Sequence, residues 1–390
     1  MKKRCAIVGA SLGGFRSAQE LRKAGFDGEI VLIGEESHPP YQRPPLSKQL
    51  LKGTSPVERC YLRGNISEPY SRKLGVRATS IDPLEKNITL SNDTTVEYDY
   101  AVISTGARPI TFPKVPPSSR VIYLRNIEDS VRLRDQLKQH VRIGVVGAGF
   151  IGSEVAASVS GLVKQVVLFD GDEHPMSKVV GPYLSQTLKT VHQNNGVETV
   201  FGAPVSIVDS ETEDVVWIET PSQRHPFDVV VIGVGVKPAT QWLRSVDSLK
   251  FDEVGALLAD DKGKVYGAEA LYVVGDASSW LHPLYQRHIH VEHFESTVNQ
   301  ASQVAKNITN TPRDAPELPF AWTEQHGRLI QTVGVRMADS KDEVIHRSGH
   351  TLVVLFHSSD KVTGAAVFDA SEELSWAKAA VLSSLRKEPD

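Results

Sequence analysis

Residues 141–157, Val141 to Ala157, read VRIGVVGAGFIGSEVAA, and the fold is decided in this stretch. The apolar run Ile143–Val146 predicts a short strand, Gly147, Gly149 and Gly152 a turn, and the residues from about Phe150 a helix. This is a complete G-x-G-x-x-G in the order strand, turn, helix, the context in which the pattern carries weight. Gly147 allows the sharp turn, Gly149 lacks the Cβ that would hold a pyrophosphate away, and Gly152 lets helix and strand pack closely. With Ile151 between them, these residues are the candidate contacts for a dinucleotide, whose phosphates would meet the free N–H groups of the helix start. The following strand, Gln165–Phe169, ends in Asp170. An acid there takes ribose hydroxyls and repels a 2′-phosphate, so the expected cofactor is NADH rather than NADPH.

The start of the chain repeats this logic. Arg4–Val8 predicts a strand, Gly9-Ala-Ser11-Leu-Gly13-Gly14 a turn, Phe15–Ala24 a helix, and Glu29–Ile33 a strand ending in Gly34-Glu35-Glu36. Glu35 is the favoured ribose ligand, with Glu36 beside it. Ser11 stands where the second glycine belongs and adds a Cβ at the point of closest phosphate approach. Two such units imply two nucleotides, and the usual pair is a flavin and a nicotinamide dinucleotide. Between them, His38-Pro-Pro-Tyr-Gln-Arg-Pro-Pro-Leu-Ser-Lys48 follows a path stiffened by proline. It offers the cations of Arg43 and Lys48 either to phosphates and a reduced flavin or, as a plain surface loop, to solvent.

Composition narrows the function classes. The chain has 390 residues and a formal net charge of -4, which argues against a nucleic-acid binder. No apolar run reaches the roughly 18 residues of a membrane span, and a cytoplasmic location is expected. The two cysteines, Cys5 and Cys60, form no C-x-x-C pair and support neither a disulfide framework nor a zinc site.

Further along, Gly75–Ile81 and Lys86–Leu90 predict short strands, and Tyr98–Ile103 a strand running into Ser104-Thr105-Gly106-Ala107-Arg108-Pro109. The proline-rich Pro109–Pro117 marks a domain boundary. Helices are expected over Ile127–Gln139 and Pro182–Asn195, and short strands over Val197–Val200, Val205–Val208 and Val215–Glu219. Asp228–Ile232 leads into Gly233-Val-Gly235-Val-Lys237-Pro238, a near copy of the Thr105-Gly106 segment, where the chain returns to its first module. Leu271–Val274 is capped by Gly275-Asp276, a carboxylate well placed for sugar-alcohol hydroxyls or, more simply, an N-cap. Glu292-His293-Phe294 opens a helix to about Ile308; His288, His290 and His293 lack metal-pair spacing, so no metal is expected. From about Asp314 the strands Phe320–Gln325, Leu329–Val335, Thr351–His357 and Val362–Phe368, then a helix capped by Ser371, predict a small antiparallel α+β domain.

With these residues in view, the chain resembles the flavin-dependent ferredoxin reductases of bacterial oxygenase systems over nearly its whole length. The most specific matches are Pro40-Tyr41-Gln-Arg43-Pro44-Pro45-Leu46-Ser47-Lys48, Ser104 to Pro109, the Gly147 motif followed by Glu154, Gly233 to Pro238, Gly275-Asp276, Glu292-His293-Phe294 with Gln300, and Trp322-Thr-Glu-Gln325. The resemblance implies a glutathione-reductase-like α/β fold: two Rossmann-like dinucleotide-binding domains plus a C-terminal α+β domain. It implies an FAD-binding domain at 1–111 and 233–314, an NAD-binding domain at 112–232, and a C-terminal domain at 315–390. It also implies roles. Arg43, Lys48, Ala78, Arg125 and Asp276 would hold FAD, Glu154 would sit at the nicotinamide entrance, and Trp322 would lie by the two rings. Lys48, Glu154 and Trp322 are thus the catalytic candidates. Thr105, Gly106, Gly235, Gly275, Glu292, His293 and Phe294 join the cofactor contacts. Phe294 stands where relatives often carry Trp, and Ser11 where they often carry Gly.

The implied activity is transfer of electrons from NADH through FAD to a small [2Fe-2S]-type ferredoxin serving an oxygenase, by a monomer or homodimer. Ferredoxins are usually acidic, so Arg63, Arg72, Lys73, Arg77, Arg287 and Arg328 are candidate docking cations. The alternative within the same fold is an NADH-dependent disulfide, peroxide or oxygen reductase. The thiol-dependent forms need a cysteine near the flavin, and the proline-rich segment has Ser47 and Lys48 instead.

Overall fold

The computed structural model describes residues 2–210, 212–346 and 351–386. Among the described residues six α-helices punctuate the strands: α1 (Leu12–Lys23), α2 (Ile127–Gln136), α3 (Phe150–Val159), α4 (Ser177–Asn194), α5 (Phe294–Thr309) and α6 (Leu374–Arg386). The chain divides into two compact units, Met1–Gln42 with Cys60–Arg108 and Lys237–Phe320, and Arg43–Arg59 with Pro109–Val236 and Ala321–Asp390.

The first unit is built on a five-stranded parallel sheet in the order Leu271–Val273, Tyr100–Ile103, Arg4–Val8, Glu29–Gly34, Tyr70–Leu74. Its central strand pairs with parallel neighbours on both sides, and Cys5, Ala6 and Ile7 are fully buried. Burial on both faces is why this strand reads as a continuous apolar run rather than an alternation. Helices α1 and α5 pack against each other. The antiparallel sheet Ala78–Asp82, Asn87–Leu90, Thr95–Glu97 adds Ile81, Ile88, Leu90 and Val96 to the same core.

The strand expected over Gly75–Ile81 begins only at Ala78, after a turn at Gly75 with φ +72°, and a further strand, Tyr70–Leu74, precedes that turn unforeseen. Tyr70–Leu74 is the edge strand of the parallel sheet and exposes Ser71, Arg72 and Lys73, so it carries no apolar signal. The hairpin Ser278–His282 and Arg287–His290 went unforeseen for a similar reason, since its histidines and arginine mask the strand pattern.

The second unit holds a parallel sheet in the order Val197–Phe201, Gln165–Asp170, Arg142–Val146, Val229–Ile232, Val121–Tyr123. It also holds a five-stranded antiparallel sheet in the order Phe320–Gln325, Arg328–Gly334, Lys361–Phe368, Leu352–Ser358, Lys341–His346. In the strand Lys361–Phe368 every residue from Thr363 onward is buried. Alternate side chains therefore meet cover on both faces. Ala366 and Phe368 join Val180, Leu184 and Leu188 of α4, and α6 also packs on this strand.

Helix α4 begins five residues earlier than the sequence suggests, because a first turn from Ser177 precedes a break at Gly181 (φ +75°) and Pro182. Ser371 does not cap α6. A 3-10 turn, Ser371–Glu373, comes first, and the Ser371 hydroxyl donates to Gln331 Oε1 at 3.0 Å. The strand Lys341–His346 was not foreseen either; its polar residues hide it.

Candidate functional site

The glycine turn of 147–152 is shaped by close backbone approach. Gly147 has φ +99°, and a Cβ on it would collide with the Gly233 carbonyl; a Cβ on Gly152 would collide with the carbonyl of Gly147. Gly149 differs, for nothing lies within 4 Å of where its Cβ would be. It is the N-cap of α3 and supplies no side-chain cap to the first N–H groups of the helix. Asp170, at the end of Gln165–Asp170, accepts the N–H of Ala148 at 2.5 Å and that of Asp172 at 2.8 Å. Its carboxylate thus braces the glycine turn from below.

The first unit reproduces this arrangement. A Cβ on Gly9 would strike the Ser104 carbonyl, and one on Gly14 the Gly9 carbonyl, as in the second turn. The corresponding segments Ser104-Thr105-Gly106 and Gly233-Val-Gly235 thus back the two glycine turns in the same way. Ser11 is the N-cap of α1 but makes no cap bond; its hydroxyl donates to the Tyr41 carbonyl at 3.4 Å. The helix start is left uncapped, as at α3. Glu35 is half-exposed and paired with Arg108 at 2.9 Å and Arg77 at 3.4 Å, whereas Glu36 accepts the Tyr41 phenol at 2.5 Å.

Asp276 lies in a 3-10 turn, Gly275–Ala277, just past the strand Leu271–Val273, and the Gly275 N–H donates to Gln300 Oε1 of α5 at 2.7 Å. Ala78 is buried at the start of its strand, and Phe294 is the first residue of α5. Burial would lower the pKa of His290, but Glu292 at 3.1 Å and the Ser278 carbonyl outweigh it and raise the value. The half-buried His293 is lowered to about 4, chiefly by desolvation. Among the described residues no group of three or more His, Cys, Asp or Glu could hold a metal ion.

The second unit gathers the charged candidates. The 3-10 turn Pro44–Ser47 is pinned to two helices: Ser130 of α2 donates to the Leu46 carbonyl at 2.7 Å, and Ser158 of α3 to the Ser47 carbonyl at 2.6 Å. Arg43 donates to the Arg125 carbonyl at 2.5 Å. These bonds set Lys48 against Glu154 of α3, which is only 6% exposed, and the two form an ion pair. Ser47 Oγ donates to Glu154 Oε2 at 2.5 Å and Thr323 Oγ1 to Glu154 Oε1 at 2.6 Å. A buried carboxylate is thereby given three donors, the condition under which burying a charge pair is tolerable.

Thr323 escaped the sequence reading as a site residue, and so did what lies behind it. Gln325 Nε2 donates to Met176 Sδ at 3.2 Å and Thr323 Oγ1 at 3.4 Å. Gln325 Oε1 lies 3.1 Å from His192 Nε2, and His192 Nδ1 lies 3.0 Å from His326 Nε2. Burial lowers both imidazoles to about 4; for His192 the neighbouring His326 adds to this, and for His326 the Lys52 charge does. No local pattern announces such a pair, since His192 and His326 stand 134 positions apart. Trp322, on the same strand as Thr323, takes the opposite, exposed face at 36% exposure, as strand alternation requires.

Both cysteines are fully buried, and burial pushes the Cys5 thiol up to about 12. Of the basic residues named from sequence, Arg77 is paired with Glu35 and Arg328 with Asp369. No helix among the described residues is long and apolar enough to cross a membrane. The two uncapped helix starts, each behind a glycine turn and followed by an acid-tipped strand, fit a pair of dinucleotides.

A family model described as pyridine nucleotide-disulphide oxidoreductase matches residues 3–347. A probable ferredoxin reductase, CtmF, of Castellaniella defragrans is 32% identical, over 97% of this chain and 94% of its own length. Putidaredoxin reductase CamA of Pseudomonas putida is 28% identical, over 98% and 93%. The crystal structure of a covalent putidaredoxin reductase–putidaredoxin complex matches with a TM-score of 0.91 and 26% identity, over 98% of this chain and 93% of that one.

Proposed function

Because the chain belongs to the pyridine nucleotide-disulphide oxidoreductase family, which is FAD- and NAD(P)-dependent, we propose that it is an NADH-dependent flavoprotein reductase whose electron acceptor is a small [2Fe-2S]-type ferredoxin serving an oxygenase. The observation that carries this reading is the Ser47-Lys48 pair locked onto Glu154, with both cysteines buried. A disulfide-handling site needs an accessible thiolate, and neither cysteine is exposed. The similarity to ferredoxin reductases supports the same choice.

In this reading the segments 1–111 and 233–314 hold FAD, 112–232 hold NADH, and 315–390 form the C-terminal domain, in the cytoplasm. The open space at Gly149 and the first N–H groups of α3 receive the NADH pyrophosphate, while Asp170, already bracing the turn, faces the adenosine ribose. Gly9, Ser11 and Gly14 with the start of α1 do the same for FAD, with Glu35 or Glu36 at the ribose and Asp276 at the sugar alcohol. Bound FAD supplies the conversion of a two-electron hydride donor into single electrons. The net reaction is NADH plus two oxidised ferredoxins to NAD⁺, two reduced ferredoxins and a proton. Lys48 contributes a fixed positive charge, held in place by Glu154, where negative charge develops on reduction.

The test is a visible spectrum of the purified protein under anaerobic conditions. NADH should bleach a yellow chromophore, and oxidised ferredoxin should restore it. A colourless protein, or a yellow one indifferent to NADH, refutes the flavoprotein reading. Rapid reoxidation by oxygen or a disulfide but not by any ferredoxin favours the oxidase or disulfide reductase alternative.

A further inference from the structure

Donor and acceptor counting gives the hydrogen bonds behind Glu154 a single direction. The Thr323 hydroxyl has one proton, and its 2.6 Å partner, Glu154 Oε1, also accepts from Lys48. A carboxylate only accepts, so Thr323 donates to it. Gln325 must then present its NH₂ group to Thr323, which leaves its carbonyl oxygen facing His192 Nε2 at 3.1 Å. His192 therefore carries its proton on Nε2. Being neutral, it offers only a lone pair on Nδ1, so His326 must donate from its own Nε2 across 3.0 Å.

From the half-buried His326 to the buried Glu154, every donor points inward. The direction has a consequence for the ion pair. Glu154 Oε1 is shared by Lys48 and Thr323, and a hydroxyl free to rotate would leave that oxygen to the lysine alone. We propose that His192 and Gln325 are positioning residues for Glu154, keeping the Thr323 hydroxyl aimed at its carboxylate and so fixing where Lys48 is held. The depressed pKa values of both imidazoles support this, because a ring that stays neutral has one proton and one fixed role. Met176, whose sulfur takes the second Gln325 proton at 3.2 Å, keeps the amide from turning over.

The inference rests on the reading of Glu154 and Lys48 as part of the hydride-transfer site, and its test separates the two. Full-length protein labelled with ¹⁵N-histidine, without added nicotinamide, should show both His192 and His326 as neutral Nε2–H tautomers at pH 7. A proton on His192 Nδ1 overturns the proposal. Thr323→Val keeps the volume but removes the anchor, and His192 should then take up the Nδ1–H form to at least about a tenth of the population. An unchanged single tautomer in that variant means that packing, not Glu154, sets the direction, and overturns it.

With ferricyanide as acceptor, which avoids any dependence on the ferredoxin, Thr323→Val and Gln325→Leu should lower kcat about tenfold while KM for NADH stays within about twofold. Thr323→Ser should restore kcat. A rise in KM at constant kcat, or no rescue by serine, counts against the positioning role. Absence of NADH oxidation by the unaltered protein refutes the proposed function, and the tautomers still decide the inference.

Discussion

Replacing Lys48 by methionine should destabilise the fold in a way that a second substitution repairs. Lys48 is 16% and Glu154 7% exposed at their side chains, so the pair is effectively buried. Removing one partner of such a pair strands a charge and costs about 3–5 kcal/mol. Here Glu154 keeps two hydroxyl donors, Ser47 at 2.5 Å and Thr323 at 2.6 Å, which places the loss near the lower end, about 3 kcal/mol. For a body of 150–250 residues each kcal/mol moves the melting midpoint by about 2–4 °C, so Lys48→Met should melt about 6–12 °C lower. Glu154→Gln added to Lys48→Met removes the stranded charge and leaves a neutral amide to meet the two hydroxyls. The double variant should regain at least about half of the loss. Circular dichroism melting of the three proteins at pH 7, without cofactor, measures this. A single variant within about 2 °C of the parent, or a double variant no more stable than the single, would refute the account of the buried pair.

Other consequences follow from single positions. Gly149→Ala should leave the melting midpoint unchanged, since its Cβ meets nothing within 4 Å, yet raise KM for NADH by about tenfold or more; equal KM values would show that no phosphate approaches there. Gly181→Ala combines a φ of +75° with a collision against the Asp342 carboxylate, so urea unfolding should show a loss of about 1–3 kcal/mol, and a neutral result would show that α4 straightens freely. His192, His326 and His293 are lowered to about 4, below the 6.5 of an unfolded histidine. Between those values the unfolded chain binds more protons, so this contribution to stability is complete above pH 6.5 and is lost as pH falls toward 4. The melting midpoint should drop across that window, and His192→Phe should flatten the drop; a parallel pH profile in the variant would contradict the assignment to that residue.

Whatever depends on neighbours in the chain was legible from the residues alone. The two glycine turns, the strands feeding them, and the acids at Asp170 and Glu35 all follow from local backbone geometry, because a strand–turn–helix unit is specified within some thirty residues. Even the repetition of the unit, and with it the pair of five-stranded parallel sheets, was readable without the tertiary structure. Strands without an apolar rhythm escaped, Tyr70–Leu74 and Lys341–His346 among them, since an exposed edge strand places no demand on side-chain polarity.

What joins distant segments was decided only by the tertiary structure. Lys48 and Glu154 were both singled out, yet their ion pair, and the Ser47 hydroxyl 107 positions from the carboxylate it serves, exist only because the Pro44–Ser47 turn is bolted to α2 and α3. Thr323 reaches Glu154 across 169 positions, and His192 meets His326 only where α4 lies against the turn after Gln325. Local sequence sets a residue's own backbone and its face, but a buried polar group takes its partner from whichever element packs against that face.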